Sequence, residues 1–278
     1  MGKEHSQPIL DGDPNIIKEC RHGPMIYNRH DQYVGRSLHE YGEYNEEESD
    51  ALCGLLDEGD VVLEIGANMG SHTVALAKAV GRTGKVYAFE PQMPLFHLLA
   101  GNVALNGLFN VFTYNLAIGA REGTIKVPPL DYKNTGNFGA LSLEENQNGT
   151  QVLLKPLDVL AGNLSKCKLI KVDVEGMELE VLQGGQKLIE RHQPVLYVEN
   201  DRKEKSKALL EFVMSIGYQP YWHLPRLFNP KNFFENEHDI FGDVPNLVSA
   251  NVLCAPSWLV VDGMDDHKIQ DTDSWYTR

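Results

Sequence analysis

Short apolar runs alternate with helical periodicities through the middle of the chain. Runs at 61–65, 85–89, 110–114, 168–174 and 194–199 read as strands bounded by turn residues. Between them, Val74, Ala75, Leu76 and Ala77, then Leu179, Val181 and Leu182, and finally residues 203–215 carry helical patterns. Strands alternating with helices predict an α/β fold with a mostly parallel sheet. A further helix is expected from Asn45, as N-cap, through Leu56. Glu46, Glu47 and Glu48 in its first turn complement the helix dipole, and Leu52, Leu55 and Leu56 form its apolar face.

The flanks are less regular. GTIKVPPL at 123–130 and TQVLLKPL at 150–157 read as an inserted hairpin, with the polar loop 131–149 between them as a candidate lid. Residues 218–223 and 249–255 suit a final antiparallel pair. The long connection 224–247 holds Phe228, Phe233, Phe234 and Phe241 among amides and imidazoles; it is either an aromatic face for a polyhydroxylated ligand or a packing flap. Residues 1–44 form an N-terminal extension whose part 27–44 reads as short strands or turns. Residues 45–261 form the α/β domain, and 262–278 a polar, frayed tail.

The candidate chemistry begins at VVLEIGANMGSHT, residues 61–73. A strand ends in Glu64 and breaks into a turn containing Gly66, Ala67, Asn68 and Gly70, and the next strand ends at Glu90-Pro91. Glycines let a backbone pass close to a ligand, and an acid at the second strand's end can accept two hydrogen bonds from a ribose diol. A dinucleotide fingerprint wants a third glycine where Asn68 stands. Glu64 would repel a pyrophosphate but suits a cationic amino-acid moiety. Charge therefore favours S-adenosylmethionine over NAD. Glu64 is expected beneath the methionine portion, Ala67, Asn68 and the backbone at Gly66 and Gly70 around the methionine and ribose, and Ser71 with His72 near the carboxylate. His72 is read first as a surface or capping residue. Ala117, in LAIG, is expected to wall the adenine.

A second segment, LIKVDVEGMELEVLQGG at 169–185, places Asp173 and Glu175 near a strand end, on one side of it, with Glu178 a helical turn further on. Asp173 and Glu175 are the candidate catalytic or acceptor-contacting groups, and Asp173 is also a cofactor contact. The alternatives are that Glu175 caps the next helix while Glu178 sits in solvent, or that the three carboxylates hold a divalent cation; no metal is assigned. Glu199, Asn200 and Asp201 are expected at the same ligand edge, and His223 is a further candidate base.

Taken together, VVLEIGANMG, YAFEP, LAIG, KVDVEGMELEVL and PVLYVEN resemble the FkbM family of S-adenosylmethionine-dependent methyltransferases over residues 41–215. The resemblance implies a class I, Rossmann-like sheet of seven strands with helices on both faces and an antiparallel C-terminal strand. It implies methylation of an oxygen, often a sugar or polyketide hydroxyl, with S-adenosylhomocysteine as product. The competing readings are an NAD-dependent oxidoreductase and a non-catalytic module that keeps the cofactor fold.

Composition narrows the partners. The 278 residues carry a formal charge of −14 and 42% hydrophobic residues, enough for a core. The Lys and Arg residues are scattered, which argues against nucleic acid; a small hydroxylated acceptor is what the resemblance implies. No apolar run approaches the roughly 18 residues of a membrane span, and the first residues lack a secretory pattern. Cysteines at 20, 53, 167 and 254 have neither zinc nor redox spacing. A cytoplasmic protein with reduced thiols is expected; the oligomeric state is left open.

Overall fold

The computed structural model describes residues 7–139, 148–242, 244 and 247–276. Its first unit is an antiparallel sheet of β1 (Pro8–Asp11), β2 (Asn15–Cys20) and β3 (Gly23–Asn28), followed by helix α1 (Val34–Glu40). Part of the segment expected as short strands or turns is therefore helical: Val34, Ser37 and Leu38 are buried on one face of α1, spaced as a helix requires. Helix α2 (Glu46–Cys53) starts where the sequence places it but stops a turn early. Asn45 precedes it in left-handed backbone, and its amide donates to Glu48 instead of capping the helix.

The central elements follow as β4 (Val61–Ile65), α3 (Ser71–Ala79), β5 (Lys85–Phe89), α4 (Met93–Leu105) and β6 (Val111–Tyr114). The inserted strands β7 (Ala117–Ile118), β8 (Gly123–Val127) and β9 (Thr150–Lys155) come next. Then follow α5 (Leu157–Leu160), β10 (Leu169–Val172), α6 (Glu178–Gly184), α7 (Gln186–His192), β11 (Val195–Glu199), α8 (Lys203–Ser215), β12 (Gln219–His223) and β13 (Asn251–Ala255). The seven-stranded sheet runs β12-β13-β11-β10-β4-β5-β6. Pairs among β11, β10, β4, β5 and β6 are parallel, and β13 is antiparallel to both its neighbours. This is the Rossmann-like α/β sheet expected from the sequence.

Side-chain alternation explains the layers. In β4, Leu63 and Ile65 face a core with Val181, Leu182, Leu188 and Leu210 from α6, α7 and α8. Val62 faces the other way, onto Leu52, Leu76 and Val80 around α2 and α3. Both faces are thus covered, as a parallel sheet demands. The chain leaves β4 toward β5 on one side and returns to β10 on the other, so a crevice opens at the carboxyl ends of β4 and β10.

The flanking segments are part of this body. Ile16, Met25 and Tyr27 pack against Val74, Leu95 and Leu98 of α3 and α4. Buried Asn102 donates to the Ile26 and Met69 carbonyls and accepts from the Ile26 N–H, tying α4 to β3 and to the β4–α3 turn. The hairpin is confirmed as β8 against β9. The candidate lid lies partly outside the described residues, at 140–147. Its described part is anchored by Tyr132 Oη and the Phe138 carbonyl to the Gln92 amide. The tail from 262 is docked, not frayed. Ile269 is buried and donates to the Pro220 carbonyl, and Trp275 and Tyr276 meet Trp222 edge-on at 5.5 and 5.1 Å, covering the β12 edge. No helix among the described residues is long and apolar enough to cross a membrane, and the four cysteines are free.

Candidate active site

The turn after β4 is shaped by two close approaches. At Gly66 φ is +85°, and a Cβ there would overlap the Asp173 carbonyl; at Gly70 φ is +87°, and a Cβ would lie 2.8 Å from Leu99 Cδ1. Glycine thus lets the β4 turn nest against the end of β10 and start α3 tightly. Asn68, also left-handed at φ 51°, aims its N–H at Glu90 Oε2, 2.9 Å away. Glu90 Oε1 accepts the Gln92 N–H at 2.7 Å. Each carboxylate oxygen is oriented by one backbone donor and keeps lone pairs for a ligand. Burial, outweighing those two bonds, pushes the Glu90 carboxyl up to about 7.

Glu90 separates two compartments. On one side is an apolar slot formed by Phe89, Pro91, Leu116, Ala117, Ile118 and Met177. On the other, a cavity of about 220 Å³ is bordered by Ala67, Asn68, Ser71, His72, Lys171, Asp173, Glu175, Glu199 and Asp201. Tyr33 and Tyr44 from the N-terminal unit, with Leu227, Leu247 and Ser249 from the C-terminal part, close it. Gly66, Glu90, Gln92, Gly139, Asp173 and Glu175 border both. Among the described residues, five carboxylates and a single ammonium therefore face this space.

Strand β10 ends at Val172, so Asp173 and Glu175 do not alternate along a strand: they sit on the turn beyond it, with Glu175 left-handed at φ 57°. Glu178 fixes that turn by accepting from the Gly176 N–H at 2.8 Å, and it is buried, not solvent-facing. Its place in the acidic trio is taken by Glu199: one oxygen each of Asp173, Glu175 and Glu199 lie within 4.8 Å of one another. An oxygen-ligated divalent cation can use that spacing, although Arg202 already holds Glu175 Oε2 at 2.9 Å. Burial, with Asp173 and Asp201 adding repulsion, pushes Glu175 up to about 8, and burial raises Glu199 well above the carboxylate range. Asp201 borders the cavity; Asn200 instead points away, to Ser206.

One expectation is corrected, one open alternative is narrowed, and Glu64 lies elsewhere than expected. Glu64 borders neither compartment. It is 1% exposed and accepts from Thr73 Oγ1 at 2.6 Å, because α3 folds back over the strand and supplies that hydroxyl before any ligand can. His72 is not a surface group: it is 5% exposed and borders the cavity. The phenylalanines of 224–247 face the N-terminal unit, Phe228 and Phe241 against Tyr41 and Tyr33, and Phe234 against Lys18, so that segment packs while Leu227 and Leu247 alone reach the cavity. His223 is held by Tyr197 Oη at 2.7 Å, away from the cavity.

Sequence reasoning missed Lys171, and its signal was in view: a lysine inside the otherwise apolar strand LIKV. Lys171 is 2% exposed, and its Nζ lies 3.0 Å from Asp173 Oδ2. Burial opposes its charge, but Asp173, Glu48 and Glu64 overcome that and keep it protonated.

Residues 64–220 match the methyltransferase FkbM domain. The chain belongs to this family. It is 31% identical over 141 residues to the hexuronic acid methyltransferase AglP of Haloferax volcanii, a match covering 49% of this chain and 56% of that protein. It is 24% identical over 143 residues to methyltransferase 1 of Beauveria bassiana, covering 44% and 57%. The chain thus spans little more than half the length of either curated relative. The crystal structure of methyltransferase FkbM from Methylobacillus flagellatus KT aligns over 71% of this chain and 44% of that one, at 16% identity and a TM-score of 0.46.

Proposed function

We propose that this FkbM-family protein transfers a methyl group from S-adenosylmethionine to a hydroxyl oxygen of a small saccharide acceptor. The observation that carries the reading is the charge of the space around Glu90. Five carboxylates against one ammonium suit a ligand bearing a sulfonium and an ammonium, and they oppose a pyrophosphate. The NAD reading loses a second support, because the Asn68 N–H that a phosphate would need is already given to Glu90.

The residues fit the cofactor. Glu90 would hold the ribose diol, Pro91, Ala117 and their apolar neighbours the adenine, and the backbone from Gly66 to Gly70 with Ala67, Asn68 and Ser71 the amino-acid end. Asp173 borders both compartments and would contact cofactor and acceptor alike. When bound, S-adenosylmethionine supplies a methyl group on a leaving group already activated by its positive charge. The protein's remaining task is to align the acceptor oxygen and receive its proton.

We assign proton acceptance to Asp173, with Glu175 as an acceptor contact. Asp173's side chain is 38% exposed to the cavity while its Oδ2 is fixed by Lys171, so it is both reachable and oriented. Glu175 is more enclosed and engaged by Arg202. The saccharide assignment draws on the hexuronic acid methyltransferase named among the relatives and on the polar walls of the cavity. Transfer of labelled methyl from S-adenosylmethionine to a panel of hexuronic acids, neutral sugars and non-sugar alcohols tests it. Label on sugar oxygens supports the reading; label on nitrogen, or on none of the panel, rejects it.

A further inference from the structure

Behind the cavity wall three buried polar groups converge without meeting. Glu48, 2% exposed, has one satisfied oxygen: its Oε2 accepts from the Asn45 amide at 2.7 Å and the Asn251 amide at 3.2 Å. Those two bonds fix the carboxylate and turn Oε1 toward His72 and Lys171. Oε1 lies 3.7 Å from His72 Nε2 and 3.5 Å from Lys171 Nζ. Both separations exceed the usual hydrogen-bond range, and Glu48 Oε1 and His72 Nε2 are buried with no hydrogen-bond partner. Each such group has lost its hydration with no hydrogen bond in exchange, so two side by side are unusual.

The histidine's chemistry is set by its surroundings. Its ring leans on Tyr44 at 5.6 Å, and its other nitrogen bonds the Asn45 backbone. A carbonyl can only accept, so the proton sits on Nδ1 and Nε2 presents a lone pair. The three converging atoms are thus two acceptors, His72 Nε2 and Glu48 Oε1, and one donor, Lys171 Nζ. A hydroxyl has one hydrogen to give and lone pairs to receive. It gives that hydrogen to His72 Nε2 and accepts from Lys171 Nζ, while Glu48 Oε1 keeps its ion pair with the same ammonium at 3.5 Å.

We propose that His72, Glu48 and Lys171 form a subsite that reads a second hydroxyl of the acceptor, beside the one that is methylated. This rests on the methyltransferase reading and deepens it. Lys171 Nζ also contacts Asp173 at 3.0 Å, so the subsite and the proposed proton acceptor share one ammonium. An acceptor with adjacent hydroxyls, as in a saccharide ring, bridges the two; a simple alcohol does not. Recognition of this kind discriminates strongly, because an analogue lacking the hydroxyl leaves the buried groups unpaired.

The test is a crystal structure of the full chain with S-adenosylhomocysteine and glucose, a neutral sugar suited to the acidic cavity, paired with calorimetry of glucose binding. The expected result is one sugar hydroxyl within hydrogen-bond reach of both His72 Nε2 and Lys171 Nζ. Water alone in the notch beside a bound sugar, a sugar outside the cavity, or His72 and Glu48 in direct contact overturns the subsite. An empty cofactor pocket would instead sink the wider reading, and it is read independently of the sugar's position. In solution, His72→Phe is expected to weaken glucose binding by about 100-fold, with S-adenosylhomocysteine binding unchanged. His72→Gln, which keeps an acceptor, is expected to recover most of the loss. Equal affinities for the two variants contradict the proposal.

Discussion

The two walls of the cleft are built by different means. The cofactor wall is local: the turn after β4, the acid ending β5 and the short strand β7 each place their groups within a few residues, largely through backbone. The acceptor wall is assembled from distant parts of the chain. Tyr33 and Tyr44 precede the sheet, Leu227, Leu247 and Ser249 follow it, and Lys171 rises from its centre. A local wall can be read from one stretch of sequence, and it tolerates change elsewhere. A composite wall depends on packing between the chain's two ends, and under the proposed function the same packing would decide which acceptor fits.

The largest expected effect lies where the walls meet. Asp173→Asn should lower kcat by roughly 10²–10⁴-fold, far more than it weakens S-adenosylmethionine binding through the altered cofactor contact, as pre-steady-state transfer and calorimetry would show. A parallel loss of affinity would move Asp173 to the cofactor wall alone.

Breaking the composite wall comes next. Phe241 is buried against Tyr33 and Tyr41, and Phe241→Ala should remove about 3 kcal/mol of stability and raise the acceptor KM. Denaturant melts and steady-state kinetics check both. Unchanged acceptor KM would show that the 224–247 segment covers the fold without shaping the cavity.

On the cofactor wall, Glu90→Ala should weaken S-adenosylmethionine binding by roughly 10- to 100-fold, the worth of about 1.5–3 kcal/mol for a charged hydrogen bond. The acidity of this wall gives a subtler signature. Glu90 and Glu175, ordinarily near 4.5, are raised to about 7 and about 8. In the folded chain they hold protons that the unfolded chain has already released, so ligand-free stability should fall as pH rises from about 4.5 to about 8. A cationic ligand favours the charged carboxylates. Its affinity should therefore rise by a few-fold over pH 6 to 8 with release of protons, measured by calorimetry in buffers of different ionisation enthalpy. Proton uptake on binding would reverse this account.

The smallest effect is expected at Glu64. Held by Thr73 and lining neither compartment, it should allow Glu64→Gln with less than about a 3-fold change in cofactor affinity, near 0.6 kcal/mol. A larger loss would return it to the cofactor wall.

This contrast also explains what was legible in the sequence. The strands and the helices α3 and α8 follow from periodicity, and Glu90, Asn68, Pro91 and Ala117 from their positions next to strand ends, because each depends on its own neighbours. Glu64 misled because alternation places an acid on a strand without saying what covers it; Thr73, nine residues on, does so. Tyr44 was missed, and His72 was read first as a surface group, because only the docking of α2 against α3 brings them to the cavity. The tail misled because its polarity hides Ile269, Trp275 and Tyr276, whose burial exists only against β12.

The most direct test of the central claim is calorimetry of the wild type and Glu90→Ala with S-adenosylmethionine and, separately, NAD. The account predicts micromolar binding of S-adenosylmethionine, weakened at least about 10-fold in the variant, and no binding of NAD. Preference for NAD, or S-adenosylmethionine affinity indifferent to Glu90, would contradict it.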